Sequence, residues 1–367
     1  MGVLRLLLAL SVVNAHGGNL LGFQFLMSSF AVQSFYMISG FYMALVLNEK
    51  YRPDNSTYLQ FIANRFLRIF PGYFVVLLLT ILLFLVANWY YGQYFGPARL
   101  WSENWAGLDW PARLFLLFSH LALFGQDAYL FLGMDGLGGL QFDPDFRASH
   151  SQFHDFKLVP QAWSLSIELC FYLLAPFLVR RSAAWLASMI TACIALRFAL
   201  AYWLGWQDDP WSYRFFPSEL ALFLCGAGAY RIYRAVRIGK MDMQTMSGWV
   251  ALGVAAGAAL TTSYYPSPVV VWWNIGLVVS VLLVLPFLFS LTKRSKIDGH
   301  IGELSYPMYL CHMLVIWSFD LMQVQRGMVW SACVLFATIL LSIVLYWHVD
   351  RRVDDFRHRR FAAAPSV

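Results

Sequence analysis

Apolar runs of roughly 17–25 residues, each long enough to cross a bilayer, recur along this chain. In hydrocarbon the backbone must satisfy its own hydrogen bonds, so such runs fold as helices. Spans are expected near 3–19, 28–47, 70–91, 160–179, 183–204, 215–233, 244–262, 268–291, 303–322 and 328–348. The expected fold class is therefore all-α, a polytopic membrane bundle of about ten transmembrane helices. A further piece, ARLFLLFSHLALF (112–124), is too short for a comfortable crossing and reads as re-entrant or interfacial.

Composition agrees with lipid as the solvent. Of 367 residues, 60% are hydrophobic and only 13% charged, about half the charge of a soluble domain. The first run is followed by no small-residue cleavage site, and a second apolar segment comes at once. It is therefore kept as the first membrane helix. All five cysteines lie in apolar runs without paired or metal-type spacing, which argues against a disulfide framework or a zinc site.

The net charge of +6 is not a nucleic-acid signature once its distribution is read. With the N-terminus in the cytoplasm and 112–124 turning back, 18 of the 26 Lys and Arg fall on the cytoplasmic side and six on the other, leaving Arg5 and Arg197 inside helices. That split follows the positive-inside bias. The chain reads as one transmembrane domain over 1–350, with a short basic cytoplasmic tail, 351–367, suited to an anionic leaflet. The acidic stretch around Asp143, Asp145, His150, His154 and Asp155 reads as a solvated extracytoplasmic loop, and no metal ligand is assigned anywhere.

Ionisable groups at membrane depth are costly and mark function by default. RLLLALSVVNAH carries Arg5 and His16 eleven residues apart. On a helix that step is about 16 Å and three turns, so both lie on one face. Arg5 then sits at the cytoplasmic edge and His16 near the middle of a ~30 Å hydrocarbon core. A snorkelling arginine and a hydrogen-bonded core histidine are the plainer alternatives. Glu168, in WSLSIELCFYLLAP, falls at about the same depth as His16. It either orients the imidazole or ties helices together.

Near the end, LSYPMYLCHMLV puts His312 about 13 Å from the cytoplasmic side, with Tyr306 and Tyr309 on its face. Arg197 shows no obvious partner. Trp163 reads as a member of the interfacial aromatic belt. FIANRFLRIFPGYF reads as an interfacial helix entering a membrane helix whose start is marked by Pro71. Its Arg65 and Arg68, at i and i+3, are compatible with a phosphate grip or with plain anchoring. Ser39-Gly40, between aromatics, reads as close helix packing.

Five of these pieces, in order, resemble acyltransferase family 3, integral membrane enzymes that acylate bacterial surface carbohydrates. They are Arg5-x10-His16, FYMISGF, Arg65-x-x-Arg68-x-x-Pro71, WSLSIELCFYLLAP and SYPMYLCH. HVDRRVDDF is a looser match, lacking the family's proline. The resemblance implies a multi-pass protein of the bacterial cytoplasmic membrane, both termini inside. It would transfer an acyl group, usually acetyl, from cytoplasmic acyl-coenzyme A to a sugar hydroxyl. His16 would be general base or transient acyl carrier, with Glu168 orienting it or holding the acceptor. Arg5, Arg65 and Arg68 would hold the coenzyme's phosphates, and Trp163, Tyr309 and His312 would line the acceptor site. Some relatives carry an appended extracytoplasmic domain; this sequence leaves no room for one, so action alone or with a separate partner is implied. The competing reading is a saccharide transporter or flippase without acyl transfer.

Overall fold

A computed structural model of the chain describes residues 1–23, 25–51, 55–148, 153–238 and 269–360. Thirteen α-helices run through them: α1 Gly2–His16, α2 Ser28–Glu49, α3 Asn55–Tyr91, α4 Pro97–Asn104, α5 Trp110–Ala122, α6 Ala162–Leu178, α7 Ala183–Leu204, α8 Phe216–Ile238, α9 Val269–Thr292, α10 Lys296–Glu303, α11 Ser305–Leu321, α12 Met328–Leu345 and α13 Arg351–Arg360. Among the described residues the only sheet is a hairpin, β1 Leu132–Met134 against antiparallel β2 Leu140–Phe142.

A helix stands at nine of the ten expected spans, and the tenth, 244–262, lies outside the described residues. Among the described residues four stretches are long and apolar enough to cross a membrane: Ser28–Glu49, Thr57–Tyr91, Ala183–Leu204 and Met328–Arg360. Shorter apolar helices include Gly2–His16 and Ala162–Leu178. At 15 residues, α1 is about 22 Å long, less than a hydrocarbon core. It stops at His16, short of the expected residue 19, because Gly17 and Gly18 follow and Gly18 takes φ +81°. The Asn14 side chain then clamps the turn, accepting from Leu20 N at 2.8 Å and donating to Phe23 O at 2.9 Å.

α2 and α8 pack backbone to backbone. A Cβ on Gly40 would lie 1.9 Å from the Phe223 carbonyl oxygen, and one on Gly226 would lie 2.0 Å from that of Met37. Two glycines facing opposite backbones let these helices touch, the small-residue packing expected of membrane helices.

α3 departs from expectation at its start. Pro71 lies inside one continuous 37-residue helix rather than at the head of a membrane segment. A proline removes one ladder bond and crowds the preceding turn. Here Tyr306 braces that turn by donating to Ile69 O at 2.5 Å. The chain's last described segment is likewise no loose tail. α12 passes through a π-helical turn, Tyr346–Asp350, into α13, which packs along α3.

The described residues between 92 and 161 build a folded cap, which takes in described parts of the acidic stretch expected to be a solvated loop. Leu116, Tyr129, Phe153 and Phe156 are wholly buried there, joined by Trp101 and Trp105. His120 belongs to this core: its Nδ1 donates to Leu116 O at 2.8 Å, and its Nε2 accepts from Leu158 N at 3.1 Å. Burial pushes its pKa down to about 4. α5 is capped by Asp109, which accepts from Ala112 N, and exposes Trp110, Leu114, Leu117, Phe118 and Leu121 along one side. That amphipathic form suits a helix lying in an interface.

Candidate active site

His16 and His312 meet in the interior. Their rings stack with centroids 5.1 Å apart and planes 18° apart, and His312 Nε2 lies 3.1 Å from His16 Nδ1. His312 Nδ1 is 2.7 Å from the Tyr309 carbonyl oxygen, which can only accept. The proton of a neutral His312 is therefore on Nδ1, and its Nε2 is an acceptor. His16 must then donate from Nδ1, which leaves the His16 Nε2 lone pair uncommitted. His312 is fully buried, whereas His16 is open to a cavity. The arrangement is a base with its tautomer set from behind.

That cavity, of about 940 Å³, lies between the helices and the cap. His16, His312, Gln161, Trp163, Tyr213 and Arg214 contribute to its wall, and Lys157 comes in from the cap. Gln161 is held by donation to Leu310 O. Trp163 is 5% exposed, so it is an inner-wall residue and not part of a lipid-facing belt. The Arg214 guanidinium lies 4.3 Å from its ring centroid, and Tyr213 meets it edge-on at 5.0 Å.

A second cavity of about 440 Å³ opens at the basic end. It takes in Arg5 from α1, Lys50 at the end of α2, Arg65 and Arg68 from α3, Glu168 from α6, and Arg357 and His358 from α13. Arg68 is committed to Glu303 at 2.5 Å and Asp354 at 2.7 Å, fastening α3 to α10 and α13. Arg357 donates to Asn64 Oδ1 at 2.6 Å and to Asp354. Among the described residues Arg5 and Arg65 enter no ion pair, and Arg65 Nε is buried without a hydrogen-bond partner. Two guanidiniums thus line the cavity outside any direct ion pair, with Glu303 within electrostatic reach of Arg5. Glu168 accepts from Tyr172 at 2.5 Å.

The two cavities share Val32 and Tyr309 in their walls. The Tyr309 hydroxyl lies 2.6 Å from Ser164 Oγ, so a pair of hydroxyls marks the boundary.

All eight site residues expected from sequence line one or both cavities. His16, His312, Trp163 and Tyr309 line the upper one, and Arg5, Arg65, Arg68, Glu168 and again Tyr309 the lower. The pairing is not the one depth alone suggested: the ring against His16 is His312, and the hydrogen-bond partner of Glu168 is Tyr172. Depth counting gives height on a helix and not the azimuth at which helices face each other. Sequence reading also missed three charged groups. Arg197 pairs with the wholly buried Glu219 of α8, which Gln33 also approaches at 3.2 Å; a carboxylate inside an apolar run was the available signal. Lys157 and Arg214 were counted only as loop charges, and no spacing linked them to Trp163.

Fold and site together define a helical protein with a cationic cavity and a histidine-paired cavity set end to end. The model of acyltransferase family 3, described as an acyltransferase domain, matches residues 1–347. The chain belongs to that family, and the activity this supports is acyl transfer. No curated protein and no solved structure matches the chain.

Proposed function

We propose that the chain sits in the bacterial cytoplasmic membrane as a bundle of about ten crossings, with the basic end and both termini in the cytoplasm. It moves an acyl group, specifically acetyl, from acyl-coenzyme A to a hydroxyl of a surface glycan or lipid-linked saccharide. The observation that carries this reading is the pair of cavities meeting at Val32 and Tyr309. Coenzyme A is charged and stays inside, the glycan is worked on outside, and only the acyl unit has to pass the boundary.

In this mechanism Arg5, Arg65 and Lys50 attract the donor's phosphates by charge-assisted hydrogen bonds. The lower cavity has room for the thioester arm, whose amides supply donors for Glu168. The acceptor hydroxyl meets His16 Nε2. Its O–H bond breaks with the proton passing to that nitrogen, and its oxygen bonds to the thioester carbonyl carbon. The C–S bond then breaks, the thiolate leaves on the cytoplasmic side and takes a proton from water there, and His16 Nε2 returns its proton to water in the upper cavity, restoring the base. His312 Nε2 supports the imidazolium through the Nδ1–H of His16. Ser164 donates to Gln161 O at 3.0 Å, so the donor to the transient oxyanion is the Tyr309 hydroxyl, which turns its proton from Ser164 Oγ or Gln161 O. A covalent route through an acyl-imidazole would use the same His16 nitrogen.

The test is transfer of radiolabelled acetyl from coenzyme A to candidate glycans by purified protein. Wild type transfers label, and His16→Ala is reduced at least 100-fold, the scale of a lost general base. Undiminished transfer by His16→Ala refutes the assignment, and glycan crossing vesicles without acylation makes the protein a transporter.

A further inference from the structure

Lys157 is the one charged group in the upper cavity wall with no hydrogen bond or ion pair among the described residues. It is 5% exposed, and its recorded contact is the face of Tyr129, whose centroid lies 5.6 Å from Nζ. Its backbone is fixed on both sides, because Trp101 Nε1 donates to Phe156 O at 2.8 Å and Leu158 N to His120 at 3.1 Å. The ammonium is therefore presented by a rigid part of the cap.

Arg214 adds a second positive group to the same wall. Its Nε donates to Asp209 at 2.7 Å, but Asp209 also accepts from Arg147 at 2.6 Å, so one carboxylate serves two guanidiniums. Of the other acids of this cavity, Glu103 pairs with Arg99, while Asp155 lies beside a His154 that burial keeps toward its neutral form, so Asp155 and the shared Asp209 are the anions set against Lys157, Arg214 and Arg147. Positive charge is left over beside His16. A buried ammonium without an anion is unfavourable, and a ligand that brings the anion relieves it.

We propose that the upper cavity takes an anionic acceptor, a saccharide whose carboxylate or phosphate is held by Lys157 and Arg214 while a hydroxyl meets His16. This specifies the substrate class of the acyl-transfer site and rests on that reading for its chemistry, though not for its binding. Arg214 over Trp163 forms a surface that a sugar ring can lie against, and Lys157 supplies a point charge from the cap side. Burial, with Arg214 next in importance, pushes the Lys157 pKa down to about 7, as expected where the anion is supplied by the ligand.

The test is equilibrium binding to the full chain in nanodiscs of three probes: methyl glucoside, methyl glucuronide and glucose 1-phosphate. The charged probes should bind at least tenfold tighter than methyl glucoside to wild type, and Lys157→Met should erase the difference. Removing an unpaired buried charge should leave the Tm of that variant undiminished, so misfolding does not obscure the result. The glucuronide and phosphate arms distinguish a carboxylated sugar from a phosphate-bearing one. Equal binding of neutral and charged probes, no binding of the charged ones, or a preference that survives Lys157→Met overturns the proposal. A protein that binds charged sugars through Lys157 yet transfers no acetyl refutes the acyl-transfer reading and leaves the binding site standing.

Discussion

His312 Nε2 lies 3.1 Å from His16 Nδ1, and the Tyr309 carbonyl behind His312 fixes which ring donates. The tautomer of His16 is therefore a product of two helices, α1 and α11, and of one backbone carbonyl.

Replacing His312 should damage chemistry more than binding. His312→Gln is expected to lower kcat by about 10- to 100-fold, within the range of acid–base contributions, with donor KM nearly unchanged. A role in packing alone would instead lower Tm with kcat per folded molecule preserved.

The arginines of the lower cavity divide by their partners. Arg5→Gln and Arg65→Gln should each raise the acyl-coenzyme A KM roughly tenfold or more, the scale of a lost hydrogen bond between charged groups. Arg68→Gln should act on stability, because it frees Glu303 and Asp354 and loosens α3 from α10 and α13. Steady-state donor titrations beside thermal melts separate the two effects.

Gly40→Leu should impair folding. The side chain would have to occupy the space of the Phe223 carbonyl, and overpacking of this kind costs about 1–3 kcal/mol or more. A lowered Tm in detergent, or loss of the folded species, is the expected result. The same change at Gly228, where a Cβ meets nothing within 4 Å, should be mild.

Lys157 gives the acceptor step a pH signature. Its pKa, about 7 in the folded chain, reflects burial and Arg214, opposed by Asp155 and Asp209; His154 and Tyr129 lie alongside. The ammonium is present below that pH and lost above it. KM for a charged acceptor should therefore rise as pH climbs through 7, while that for a neutral acceptor stays flat. Stability runs the other way. An unfolded lysine titrates near 10.4, so the unfolded chain holds the extra proton between about 7 and 10.4, and this group's contribution grows with pH across that window. Initial rates at varied acceptor and pH check the first point.

Much of the fold was legible because helix length and apolar content are local properties. The ends of α7 fall at 183 and 204 as expected, and α1 stops early only because of Gly17-Gly18. Arg5 and His16 could be assigned to one face of one helix for the same reason. What stayed hidden depended on rotation and crossing between helices. The His16–His312 contact joins helices distant in sequence and the Arg197–Glu219 pair joins the neighbouring α7 and α8, whereas Tyr172 lies one turn from Glu168 on α6, an i, i+4 spacing that the sequence does show. The cap was obscured differently, since its core is a cluster of aromatics from short segments without periodicity.

In the proposed reaction acyl passes from a donor on one side, at the Val32–Tyr309 boundary, to an acceptor on the other. Its most direct test uses proteoliposomes of uniform orientation with labelled acetyl-coenzyme A inside or outside and the glycan acceptor in the opposite compartment. Acetylated glycan is expected only when the donor is at the basic end and the acceptor at the cap end, with coenzyme A remaining where it started. Equal transfer when both substrates share one compartment at the cap end would contradict it.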